Sequence, residues 1–152
     1  MSPRRARIDK VVTLREKELD KQVAKLSEQR AAEERARSDE ERKKRELEEA
    51  SESRLKLAEE GEALSATSWI EANEWLAHQR QGHERARVET ARAQLQTRQA
   101  QGAVMTARSD LKKVELLSER IQRQEESQAE KVERRLEDEL SSQRFRRSEE
   151  DK

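Results

Sequence analysis

Cysteine is absent from this chain, proline occurs once, at Pro3, and glycine only three times in 152 residues. Without cysteine there can be no disulfide and no thiolate metal site, which fits a chain kept in a reducing compartment. With no proline after Pro3, nothing imposes the roughly 3 kcal/mol that this residue costs inside a helix. Tyrosine is missing as well, and two tryptophans and one phenylalanine are the whole aromatic complement. Only 31% of the residues are apolar, too few for a compact core of ordinary size. No window approaches the roughly 20 apolar residues that cross a bilayer, and the basic start leads into no signal-peptide-like apolar run.

What the chain has is charge. Asp, Glu, Lys and Arg make up 45% of it, and 34 basic residues balance 34 acidic ones. That balance excludes a strong global pull toward nucleic acid or an anionic membrane. Strong helix formers with apolar residues at heptad spacing belong to the composition class of coiled coils. Disorder is the rival for so polar a chain, but the balanced charge and the helical recurrence of apolar residues argue against it along most of the length. The ends are expected to fray.

The expected fold is all-α: two long helices in an antiparallel coiled-coil hairpin, the second longer and overhanging. The first helix is predicted over about residues 8–60. Val12, Leu19 and Leu26 fall seven apart, with Val23 between the last two, a three–four spacing that reads as a seam. From Ser27 to Glu46 the only apolar residues are Ala31, Ala32 and Ala36. Acid-first i,i+4 pairs are expected to support this stretch: Glu33–Arg37, Asp39–Lys43, Glu40–Lys44 and Glu41–Arg45, each worth about 0.2–0.5 kcal/mol. A turn is predicted over about 61–67, opening at Gly61. Ser68 and Glu71 then fit a capping box for the second helix, predicted over about 68–146.

That second helix carries the clearest register. Ala72, Ala86, Ala93, Ala100, Ala107, Val114 and Ile121 share one heptad position, broken only by Gln79. Leu76, His83, Thr90, Thr97, Val104 and Leu111 hold the alternate position, which turns polar at Ser118 and Glu125. Alanine on a seam lets two backbones approach closely. A first helix of this length covers the second only to about residue 120, so the last thirty or so residues should project. After a phase shift, Val132, Leu136 and Leu140 form a shorter stripe. A parallel intermolecular dimer with the turn straightened is the alternative architecture.

Two features suggest binding surfaces. Arg4, Arg5, Arg7, Lys10 and Arg15 stand against Asp9 alone in the first fifteen residues. They either meet an acidic surface or form a solvated tail. Trp75 lies one position before Leu76 and so beside the seam, where it can stay exposed as an anchor. Trp69 is expected to close the turn-proximal end. His78 and His83 are five apart, not the four of a helical metal pair, and no metal or other cofactor is expected. No phosphate loop or nucleophilic constellation is visible, so the chain is not expected to be an enzyme. Gly82 and Gly102, inside the second helix, suggest bends or close approach of the helices.

The run from Arg7 to Lys21 resembles the opening of the flagellar export protein FliJ and its injectisome relatives of the YscO type. Trp69-Ile70, followed by Trp75-Leu76, is similar to the aromatic start of the second FliJ helix. The tail around Leu136-Glu-Asp-Glu-Leu140 and Gln143 is similar to the ends of both branches. The resemblance covers essentially the whole chain. It implies a non-enzymatic stalk of a type III export apparatus, cytoplasmic and peripherally attached at the membrane. Its implied partners are the export ATPase hexamer, whose pore it would enter, the cytoplasmic domain of the export gate, and export chaperones. By the same resemblance the paired-terminal end, with the arginines, would meet the ATPase, and the Trp75 region would face the gate. A nucleic-acid-binding hairpin using Arg80, Arg85, Arg87, Arg92 and Arg98, or a plain coiled-coil tether, is the alternative function. No nucleic acid partner and no membrane insertion are expected.

Overall fold

A computed structural model describes residues 2–60 and 65–151. Nearly all of them lie in two helices: α1, Pro3–Glu59, of 57 residues, and α2, Ala66–Glu150, of 85. Among the described residues there is no strand. The helices pack antiparallel as a helical hairpin, since a step of seven along α2, from Thr90 to Thr97, matches a step of seven back along α1, from Ala36 to Gln29.

Both helices begin earlier than their sequence signals suggest. The Arg5 amide donates to the Ser2 hydroxyl at 3.1 Å, so Ser2 caps α1 and Pro3 takes the first helical position. A proline is harmless there, because that N–H has no intrahelical partner anyway. α1 therefore starts at Pro3 and not near Ile8. For α2, the Ser68 amide donates to the Ser65 hydroxyl at 3.2 Å, which makes Ser65 the cap in place of Ser68. Ala66 and Thr67 are then already helical. Gly61 and the first part of the expected turn, 61–64, lie outside the described residues. At its far end α2 runs on to Glu150, through the helix-forming residues after Phe145.

Contacts divide the chain into two units. The first to describe is Asp20–Thr106. Along its α2 portion Leu76, Ala86, Thr90, Ala93, Thr97 and Val104 are buried, as is Gln79. Ala72, His83 and Ala100 are half-buried. On the α1 side Leu26 is half-buried and Ala50 is buried. The small side chains bring the backbones close enough for side chains to reach main chain. The Thr90 hydroxyl lies 3.2 Å from the Ala36 carbonyl oxygen and 3.0 Å from that of Ala86. Thr97 does the same with Gln29, at 3.3 Å, and Ala93, at 3.0 Å. Buried hydroxyls are thus satisfied without a polar pocket.

Val23 does not sit on this seam; it is 43% exposed. The seam advances three residues from Leu19 to Gln22 and then four to Leu26, so Gln22 takes the half-buried position. Phase on α1 follows the alanine track opposite, and the apolar character of Val23 is too weak to shift it. Among the expected ion pairs Glu33–Arg37 closes at 2.8 Å. Asp39 instead meets Arg42 at 2.5 Å and Lys43 meets Glu46 at 3.6 Å, both three apart. Neither glycine is required by crowding. A Cβ at Gly82 would meet the Lys43 Cδ at an ordinary 3.8 Å, and one at Gly102 would meet nothing within 4 Å.

The second unit joins Met1–Leu19 to Ala107–Lys152. Here Ala107 and Ile121 are buried, and Val12, Leu19, Leu111 and Val114 are half-buried. Arg15 lies 3.8 Å from the Asp110 carboxylate, and the Ser2 hydroxyl hydrogen-bonds Glu125. α1 begins there, so among the described residues α2 has no partner helix from Glu126 onward, and every described residue beyond Glu125 is exposed. That unpaired length, to Glu150, is about 37 Å at 1.5 Å per residue.

Candidate interaction surfaces

The start of α1 lays out its basic residues by helical rotation. Arg4, Arg7, Lys10 and Arg15 are exposed, and Arg5 is half-buried. Only Arg15, through Asp110, has an acidic partner among the described residues. The other four cations form no ion pair among the described residues. Arg4 also lines an open groove of about 1060 Å³ beside α2, where Arg120, Arg123 and Lys131 add positive charge and Glu119 and Glu125 temper it. Leu116 and Ile121 supply an apolar floor. An acidic helix or strand with one or two aliphatic side chains is the chemistry this groove fits.

Arg120, Arg123 and Lys131 escape a reading of the opening segment alone, because they are more than a hundred residues away in sequence. The signal that finds them is the overlap length: α1 ends its coverage of α2 near residue 120, so basic residues of α2 just there must adjoin the start of α1.

The Asp20–Thr106 unit carries the aromatic surface. Trp69 is half-buried, with the Arg54 guanidinium 5.3 Å from its ring centroid. This cation–π contact ties the two helices and uses up one face of the indole. Trp75 is different: 57% of it is exposed, and its neighbour is His78, with ring centroids 5.9 Å apart and planes tilted by 33°. A large exposed indole on a polar helix is the kind of residue that anchors a protein interface. His83 is half-buried on the seam, away from that surface.

The five arginines of the alternative nucleic-acid reading are all exposed, but two are locally neutralised. Arg87 lies 3.4 Å from Glu84 and Arg92 lies 3.2 Å from Glu89. Among the described residues no group of three or more His, Asp or Glu could hold a metal ion. No described helix is long and apolar enough to cross a membrane.

Compared with known proteins, residues 4–150 match the family model described as Flagellar FliJ protein. No match was found among curated proteins or among solved structures.

Proposed function

The chain belongs to the flagellar FliJ family, a family of non-catalytic stalk proteins of type III export, and we propose that it couples the export ATPase to the export gate. In this reading the end formed by the start of α1 and the adjoining part of α2 enters the pore of the ATPase hexamer. There it promotes assembly and activity. A single asymmetric stalk inside a six-fold ring makes the six nucleotide sites unequal, which is how it would influence turnover. The Trp75 region reaches the cytoplasmic domain of the gate, and export chaperones are further partners. The protein is cytoplasmic in this reading, held at the membrane through these partners, and needs no cofactor.

The observation that carries the proposal is the family match over 4–150. Arg4, Arg5, Arg7 and Lys10, which form no ion pair among the described residues, support the ring contact, since a cationic tip suits an acid-lined pore. The exposed Trp75 supports the gate contact. A pull-down with purified export ATPase at near-physiological salt is the direct test, together with measured ATP hydrolysis. Replacing Arg4, Arg5, Arg7, Lys10 and Arg15 by alanine should abolish stimulation, and undiminished stimulation rejects the ring contact. Trp75→Ala should weaken capture of the gate domain while leaving ATPase stimulation intact.

A further inference from the structure

Beyond Glu125, α2 has an apolar stripe that none of the described residues covers. Ala129, Val132, Leu136, Leu140 and Gln143 follow one another at steps of three, four, four and three, which keeps them on one side of a helix. Val132, Leu136 and Leu140 are each more than half exposed. The order of those steps is the same read from either end. A second copy laid antiparallel, with the two Leu136 side by side, therefore sets Val132 opposite Leu140 and Ala129 opposite Gln143.

The charges around the stripe mirror each other with opposite sign. Glu125 and Glu126 precede it, and Arg144, Arg146 and Arg147 follow it. Antiparallel pairing brings each acidic start beside the other copy's basic end. Nearer the centre, Arg135 comes beside Glu139 of the second copy; Glu133 and Glu137 are the like-charged exception. A parallel pair would instead bring the Arg144, Arg146 and Arg147 clusters of the two copies together. The helix ends agree with the antiparallel choice. The Ser2–Glu125 contact fixes the start of α1 at the level of Glu125. The second copy's Glu149, Glu150 and Asp151 then arrive at Arg4 and Arg5 and at the positive end of the α1 dipole.

We propose that residues 125–147 of α2 are a homodimer interface, two copies joining antiparallel about Leu136. Five stripe positions per copy bury less than the roughly 1,000 Å² of a durable interface, so the dimer forms at micromolar concentrations and above and dissociates on dilution. The interface covers Arg4 and Arg5, which the export reading gives to the ring, so a copy in the dimer is not the copy in the ring; failure of the interface would leave that reading intact.

The lack of native cysteine makes the geometry directly testable by single-cysteine oxidation. Leu136→Cys should cross-link to itself, because it lies on the two-fold axis. Val132→Cys alone should cross-link poorly but rapidly when mixed with Leu140→Cys. Ser141→Cys, on the opposite side of the helix, is the control. Equal self-linking by Val132→Cys and Leu136→Cys would mean a parallel pair, and no cross-linking above the control would mean no interface. Sedimentation of the unmodified chain should show its mass rising from 17.8 kDa toward twice that on concentration. A constant mass up to about 1 mM overturns the proposal. Leu136→Glu should weaken association by about tenfold or more. If that variant loses helix by circular dichroism, charge exchange replaces it: Arg135→Glu should weaken the dimer and adding Glu139→Arg should restore it, and no change with either rejects the interface.

Discussion

Between Leu76 and Val104, α2 buries residues at helical seam spacing, yet most of them are small or polar: Gln79, Ala86, Thr90, Ala93 and Thr97. From Glu126 on, the same helix exposes every described residue although its stripe holds Val132, Leu136 and Leu140. Burial in this molecule thus follows the presence of a partner helix and its distance, not the hydrophobicity of the side chain. Where α1 lies alongside, alanine is enough, because close backbones convert a methyl group into a filled gap and let a threonine reach across. Beyond the start of α1, leucine remains in water.

Proline separates the two stretches most sharply. Ala93→Pro should cost about 3 kcal/mol or more, by removing a hydrogen bond and forcing a kink in the buried seam. The cooperative helix melt at 222 nm should fall steeply, and secretion should be lost if the stalk reading is right. Ser142→Pro, in the exposed stretch, should trim helix content and leave the melting midpoint in place. An equal drop from both would erase the contrast. Truncation at Leu76, which is 3% exposed, comes next: Leu76→Ala should cost about 2–5 kcal/mol, against under about 0.5 kcal/mol for Leu140→Ala in dilute solution. Chemical denaturation of both variants measures the difference.

Glycine should work in the other direction. Gly102→Ala meets open space and Gly82→Ala an ordinary contact, so each should stabilise by about 0.5–1 kcal/mol, visible as a raised midpoint. A loss at Gly82 would mean that the helices are closer there than the 3.8 Å contact indicates. The smallest effect belongs to the exposed ion pairs. Glu33→Gln should cost about 0.2–0.5 kcal/mol and even less at high salt.

Much of the hairpin is visible in the sequence because alanine returns every seven residues from Ala86 to Ala107, marking the side of α2 that faces α1. α1 is harder to read. Its apolar residues are sparse, so a single valine at Val23 outweighs the true position Gln22, whose place is dictated from across the pair. The caps fail to show for a related reason. Ser2 before Pro3 is a helix start with its mechanism in plain sight, but it precedes the periodic residues on which attention falls. Ser65 and Ser68 compete as caps within one turn, and only the main-chain geometry chooses between them. The exposed Trp75 follows from its offset beside Leu76, whereas the grouping of Arg4 with Arg120, Arg123 and Lys131 needs the start of α1 placed along α2.

Thr90 and Thr97 stand seven apart, and so do the carbonyls they reach at Ala36 and Gln29. Sliding one helix past the other by a single repeat would offer each hydroxyl another carbonyl and each methyl another gap. The ladder is a vernier without a zero mark: it holds the two helices at fixed depth but does not say which rung meets which. The zero is supplied by what occurs once, the Arg54 guanidinium over Trp69 and bulky Leu76, which by the same count stands opposite Ala50.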